Sequence, residues 1–193
     1  MLWSSWVDDL LSCGNKSDVL KGREALKQHF DLDEVGELQE YVGCKVEYNK
    51  VNGTMKLTQP VLVQSFADEF ELPTKEFTTP MAPGQVLMGK GAPIGVDEQT
   101  HKTYRKGVGK LIHLGKYSKP EILNAIRELS RFGSNPNEAH YKAMLRCLRY
   151  CVSTKNQGFV IRPERQWDGK NKDFLFRISG KSDSTFASCS ETQ

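Results

Sequence analysis

Apolar residues fall into short patterns separated by turn-forming stretches. Leu2, Trp3, Trp6 and Val7 lead into one turn, and Leu10 and Leu11 lead out of it. Residues 2–13 therefore read as strand, turn, strand, closed by Gly14-Asn15. A helix is expected from Ser17 to Phe30, with Val19, Leu26 and Phe30 on one face. Asn15 or Ser17 can cap it, and Asp18 suits the positive end of its dipole. Residues 41–48 (YVGCKVEY) alternate like a strand. NKVNGT turns the chain, with Asn52-Gly53 supplying positive φ, and MKLTQ returns. Leu62, Phe66 and Phe70 recur at helical spacing and predict a short helix. Residues 73–100, rich in proline and glycine, read as an irregular connection and a domain boundary.

Three further helices are predicted. Tyr104, Val108 and Leu111 make one apolar stripe. Ser118-Lys119-Pro120-Glu121 has the pattern of a capping box with a first-turn proline, and Ile122, Ile126 and Leu129 form the stripe that follows. After Asn135-Pro136-Asn137 restarts the chain, Tyr141, Leu145, Leu148 and Val152 mark the third helix. Phe174, Phe176 and Ile178 alternate as a strand leading to Ser182-Asp183. The elements predict an α+β fold without internal repeats or low-complexity tracts.

Composition narrows the class. With 193 residues, 38% of them hydrophobic and 26% charged, a globular chain is expected. No window is apolar enough to span a bilayer, so no membrane partner is expected. The first residues lack a basic region, and acids interrupt their apolar run, so they do not read as a signal peptide. Five cysteines at irregular spacing then read as reduced thiols of a cytoplasmic or nuclear protein. The net charge of +3 hides an asymmetry. Residues 1–100 hold 9 Lys/Arg against 16 Asp/Glu, whereas residues 101–170 hold 15 against 5. The second segment suits either a polyanionic partner or a solvated basic surface.

Two constellations could carry chemistry. Asp8 and Asp9 stand together at a tight turn, where water or a cation must screen their repulsion. Mg²⁺ takes carboxylate oxygens and leaves room for substrate phosphates, and two such ions could serve nucleotidyl transfer. A solvated surface turn is the alternative. The second constellation is basic: Lys102, Lys106 and Lys110 share one helix face, and Lys142, Arg146 and Arg149 share another. Such faces suit phosphate contacts, or are simply the polar sides of amphipathic helices. Other groupings fall short. Cys147 and Cys151 lack the partners of a zinc site and read as core or boundary residues. Gly107-Val108-Gly109-Lys110 lacks the context of a phosphate loop. His29, His101, His113 and His140 show no triad spacing and read as surface or packing residues.

In order, the segments WVDDLL, FDLDEVGELQEYVGCKVEY, MKLTQPVLVQSFADEFEL, TTPM, YRKGVGKLIHLGKYSKPEILNAIRELSRFGSNPNEAHYKAMLRCLRY and SGKSDSTFA run along nearly the whole chain. Together they resemble the C-terminal part of a copia-type retrotransposon reverse transcriptase. The resemblance implies the C-terminal part of a polymerase palm at residues 1–72, the connection at 73–100, a basic helical thumb at 101–160 and the start of a ribonuclease H-like region at 161–193. It implies an RNA-directed DNA polymerase that uses two Mg²⁺ ions on an RNA/DNA template–primer, within a larger element polyprotein. Asp8 matches the metal-ligating acid, Asp9 its neighbour, and both enter as catalytic and metal residues. Trp6 and Val7 would position substrate, Trp6 standing where the family has Tyr or Phe. The hairpin at 41–59 corresponds to the primer grip, with Val42, Gly43, Thr58 and Gln59 as its contacts. Lys102, Lys106, Lys110, Lys142, Arg146 and Arg149 would track the duplex. Asp183 matches the first acid of ribonuclease H, and Phe186 replaces the family's Trp. The family's third metal-binding Asp and its fingers would lie before Met1. The chain is thus expected to be a truncated copy with little polymerase activity alone, and a non-catalytic nucleic-acid-binding remnant is the alternative.

Overall fold

The computed structural model of the chain describes residues 1–88 and 95–163. The strand expected at Phe174–Ile178, Asp183 and Phe186 lie outside the described residues. The fold mixes α and β elements, as expected.

The chain opens on an antiparallel hairpin of β1 (Leu2–Trp6) and β2 (Asp9–Cys13). Helix α1 (Lys16–Lys27) follows, with Asn15 at its N-cap position but no side-chain bond there. It ends three residues before the expected Phe30, which is exposed. Val19 and Leu26 are half-buried, so α1 is a surface helix. Where its axis nears the hairpin, Trp3 and Met1 press against Gly22, and a Cβ there would collide with both side chains.

The strand expected at 41–48 is broken. β3 (Glu40–Tyr41) and β4 (Cys44–Asn49) are separate antiparallel strands joined by Val42 and Gly43, whose φ angles are 52° and 69°. Alternation alone does not reveal a reversal inside an apolar run, and Gly43 was its one signal. The turn after β4 forms as expected, with Gly53 at φ 67°, and delivers β5 (Thr54–Thr58). β6 (Phe159–Ile161) pairs with the far edge of β5, giving a sheet of order β3-β4-β5-β6. Its three residues are too few to show a period. Gly158 makes the approach to β5 possible, since a Cβ there would overlap the Leu57 carbonyl.

The core belongs to the helices. α2 (Pro60–Glu69) buries Val63 and Phe66. α3 (Glu98–Tyr117), capped by the Asp97 carboxylate on the amides of Gln99 and Thr100, buries the predicted Tyr104, Val108 and Leu111. Tyr104 donates its phenolic O–H to the Leu129 carbonyl at 2.6 Å, and burial pushes its pKa up. The capping box expected at Ser118–Glu121 does not form. Ser118 donates instead to Gln59, and a 3₁₀ turn (Pro120–Ile122) precedes α4 (Leu123–Ser130). α5 (Glu138–Ser153) starts from a true box: Asn137 accepts from the His140 amide, and His140 Nδ1 accepts from the Asn137 amide. Leu148 is buried as expected, while Tyr141, Leu145 and Val152 lie at the margin. Met144, Cys147 and Cys151 fill the interior beside it. One apolar cluster runs from Val63, Phe66 and Phe70 through Leu87 to α3, α4 and α5, with Leu72, Phe77 and Met81 against it. Lys119 is 1% exposed. Its ammonium is satisfied by Glu121 at 3.1 Å and Thr154 at 2.9 Å, near the C-terminal end of α5.

Candidate functional site

The acidic pair sits at the tip of the first hairpin. Trp6 faces Asp9 across the strands, so Val7 and Asp8 form a two-residue loop. Val7 takes φ 54°, a left-handed conformation that β-branched residues disfavour. Side chains alternate along each strand and match across the pair, so Ser4, Trp6 and Asp9 share one face, while Trp3 lies on the other with α1. The first face meets the rest of the molecule. Ser4 Oγ lies 3.1 Å from the Tyr41 hydroxyl, and Asp9 Oδ2 accepts the Val42 amide at 3.3 Å. The Lys116 ammonium of α3 stands 5.3 Å from the Trp6 ring and 5.0 Å from that of Tyr117. Lys116 was not singled out in the sequence, because no periodic set contains it. Asp8 is exposed and has no hydrogen-bond or ion-pair partner among the described residues.

Val42 and Gly43 form the turn beside this tip. Thr58 pairs with Lys45 at the same end of the β4–β5 hairpin, and both Thr58 and Gln59 are buried. The Gln59 amide bridges two residues of the α3 end: its Oε1 accepts from Ser118 at 2.9 Å, and its Nε2 lies 2.9 Å from His113 Nδ1. Gln59 thus fixes the sheet to α3. Between the Val42-Gly43 turn, α2 and α3 runs an open cleft of about 670 Å³ lined by Gly43, Gln59, Leu62, Lys106, Lys110 and His113.

The basic residues divide by what they touch. Lys106 and Lys110 both reach Glu69 on α2, at 2.5 and 2.6 Å, and Lys110 also donates to Ser65. Among the described residues, Lys102 and Lys142 pair only with Glu98 and Glu138 on their own helices, and their side chains are 68% and 71% exposed. Arg146 and Arg149 turn onto the connection. Arg146 lies over the Phe77 ring at 4.1 Å and donates to Thr79 Oγ1 at 3.0 Å. Arg149 donates to the Thr74 carbonyl at 3.4 Å. No hydrogen bond or ion pair among the described residues joins the α3 set to the α5 set.

The Lys106 and Lys110 hydrogen bonds hold the Glu69 carboxyl below its ordinary pKa of 4.5. A depressed folded-state pKa stabilises above the unfolded value, and that stabilisation is lost as pH falls through the folded value. Glu69→Gln is therefore expected to lower the melting temperature more near neutral pH than at acid pH, where protonation of Glu69 removes the same charge. A deficit of equal size at both pH values would show that the charge of Glu69 is irrelevant.

Two carboxylates at one turn are hard oxygen donors of the kind Mg²⁺ takes, completed by water and phosphate. Among the described residues only Oδ2 of Asp9 is engaged, which leaves Oδ1 for this. No group of three His, Cys, Asp or Glu side chains able to hold a metal comes together among the described residues. The two carboxylates alone are thus a partial donor set. No helix among the described residues is long and apolar enough to cross a membrane.

In sequence, the chain is similar to retrovirus-related Pol polyproteins of transposons. The chain is 29% identical over 154 residues to the Pol polyprotein of transposon TNT 1-94 from Nicotiana tabacum, covering 77% of this chain. It is 29% identical over 182 residues to that of transposon RE1 from Arabidopsis thaliana, covering 88% of this chain. A transposon Ty5-1 protein of Saccharomyces cerevisiae is 25% identical over 83% of this chain and 52% of its own length. The chain spans 12% of the length of each of the two plant polyproteins. No protein-family model and no solved structure matches it.

Proposed function

We propose that the chain is a portion of a retrotransposon RNA-directed DNA polymerase and engages an RNA/DNA template–primer. The observation that carries this reading is the pairing of turns: the Asp8-Asp9 tip lies against the Val42-Gly43 turn, in a chain similar along most of its length to transposon Pol polyproteins. Asp8, with Oδ1 of Asp9, would hold Mg²⁺, which when bound supplies charge neutralisation at the reacting phosphate. Val42 and Gly43 would hold the primer strand next to that carboxylate. Gln59 acts from inside, keeping the sheet on α3. Exposed lysines of α3 and α5 would contact phosphates and give affinity without sequence choice. Primer extension by the chain itself is expected to be slight, because two carboxylates make a partial donor set and positioning supplies most of phosphoryl-transfer catalysis.

The test is binding of a fluorescently labelled RNA–DNA template–primer, followed by anisotropy across a salt series. Affinity should fall linearly on logarithmic axes as salt rises, and a duplex of scrambled sequence should bind equally well. Absence of binding at about 50 mM salt, or binding indifferent to salt, would refute the reading. A non-catalytic binding module is the second reading, favoured by the engagement of Asp9 in a protein contact. It differs in one outcome: Mg²⁺ would leave template–primer affinity unchanged in both the native chain and Asp8→Ala.

A further inference from the structure

We propose that Asp9 is a positioning residue: its bond to the Val42 amide sets where the Asp8 carboxylate stands relative to the Val42-Gly43 turn. Only the meaning of Asp8 rests on the function proposed above, since the contact itself does not depend on it. Two adjacent, chemically identical side chains have different surroundings. Both are exposed, but Asp8 has no partner among the described residues, whereas Asp9 Oδ2 accepts the Val42 N–H at 3.3 Å. A carboxylate accepting a backbone amide forms a charge-assisted bond, stronger than its neutral counterpart.

The backbone supports the assignment. Val7 and Val42 are the non-glycine residues with positive φ among those described, at 54° and 52°. Both are β-branched and stand first in a two-residue hairpin turn, where the turn geometry requires positive φ despite its cost to such residues. Each belongs to one of the two turns that the Asp9 carboxylate connects. Asp9 closes the loop containing Val7, through its pairing with Trp6. On the other side it holds the N–H of Val42 itself. Ser4 against Tyr41, and Lys116 over Trp6, lie on the same face of the hairpin and guide its approach. The hydrogen bond then fixes the depth of the tip against the turn.

Amide hydrogen exchange of Val42, read by NMR on the full chain, tests this. Asp9→Ala should accelerate exchange at Val42 about tenfold, the effect of losing one charge-assisted bond. Asp9→Asn retains an acceptor of the same reach without the charge and should give an intermediate rate, about threefold above the native one. Asp8→Ala should leave Val42 protected while the strand amides of β1 and β2 report an intact hairpin. Unchanged exchange in Asp9→Ala overturns the proposal. So does a loss of protection in Asp9→Asn as large as in Asp9→Ala, or loss in Asp8→Ala, which would assign the effect to charge or to the hairpin as a whole. Failure to bind any template–primer would refute the proposed function and leave this result standing.

Discussion

Phe66→Ala is expected to cost about 3–5 kcal/mol of folding stability, the upper part of the range for core truncations. Phe66 is fully buried on the inner face of α2, and the cluster around it draws on α3, α4, α5 and the connection that carries Phe77 and Met81. Alanine would leave a void bounded by side chains from several elements, and a site lined from many directions cannot collapse by moving one of them. Urea unfolding followed by far-UV circular dichroism measures the loss. Val61→Ala, on the exposed side of the same helix, is the control and should change stability by less than about 0.5 kcal/mol. If Phe66→Ala costs under about 1 kcal/mol, α2 is not held by this cluster.

The same residues show what periodicity can and cannot reveal. Tyr104, Val108 and Leu111, or Ile122, Ile126 and Leu129, are legible because burial of a helix face repeats every turn, so the pattern and the packing have one cause. Phe30 looked like part of such a stripe, but α1 has ended before it, and its apolar spacing is not continued by a packing partner. Ser118 had the local signature of a cap. Its hydroxyl is instead taken by Gln59, a residue 59 positions away, and local pattern carries no information about such a competitor. The break at Val42 is a related case. A β-branched residue is the last type expected at positive φ, yet Val42 opens the two-residue β3–β4 turn, a geometry that requires positive φ at both positions. At the candidate site, adjacency made Asp8 and Asp9 visible. Their different surroundings depend on a contact spanning 33 positions and were not visible.

For the basic residues, the neighbours decide which substitutions test nucleic-acid binding cleanly. Arg146 and Arg149 share a helix face with Lys142, yet they hold residues 74–79 against α5. Arg146→Ala would remove a cation–aromatic contact and a charged hydrogen bond to the connection, and is expected to cost about 1–2 kcal/mol of stability. Any loss of affinity in that variant would mix two causes. Among the described residues, Lys102 and Lys142 have no such duty: each pairs with a glutamate one turn earlier, and such exposed, solvent-screened pairs add little to stability.

The double substitution Lys102→Gln/Lys142→Gln is therefore expected to leave the fold intact while weakening template–primer binding. Each lysine that meets a phosphate releases roughly one counterion, so the logarithmic salt slope should become shallower by about two. At 0.1 M salt the same term amounts to nearly tenfold in affinity per lysine. Anisotropy titrations of the native and substituted chains at several salt concentrations measure both quantities. A shallower slope at unchanged melting temperature would place the phosphate contacts on the exposed lysines of α3 and α5. An unchanged slope would remove these two lysines from the interface and move the basic contact surface to Lys116 and the cleft between α2 and α3, beside the acidic tip.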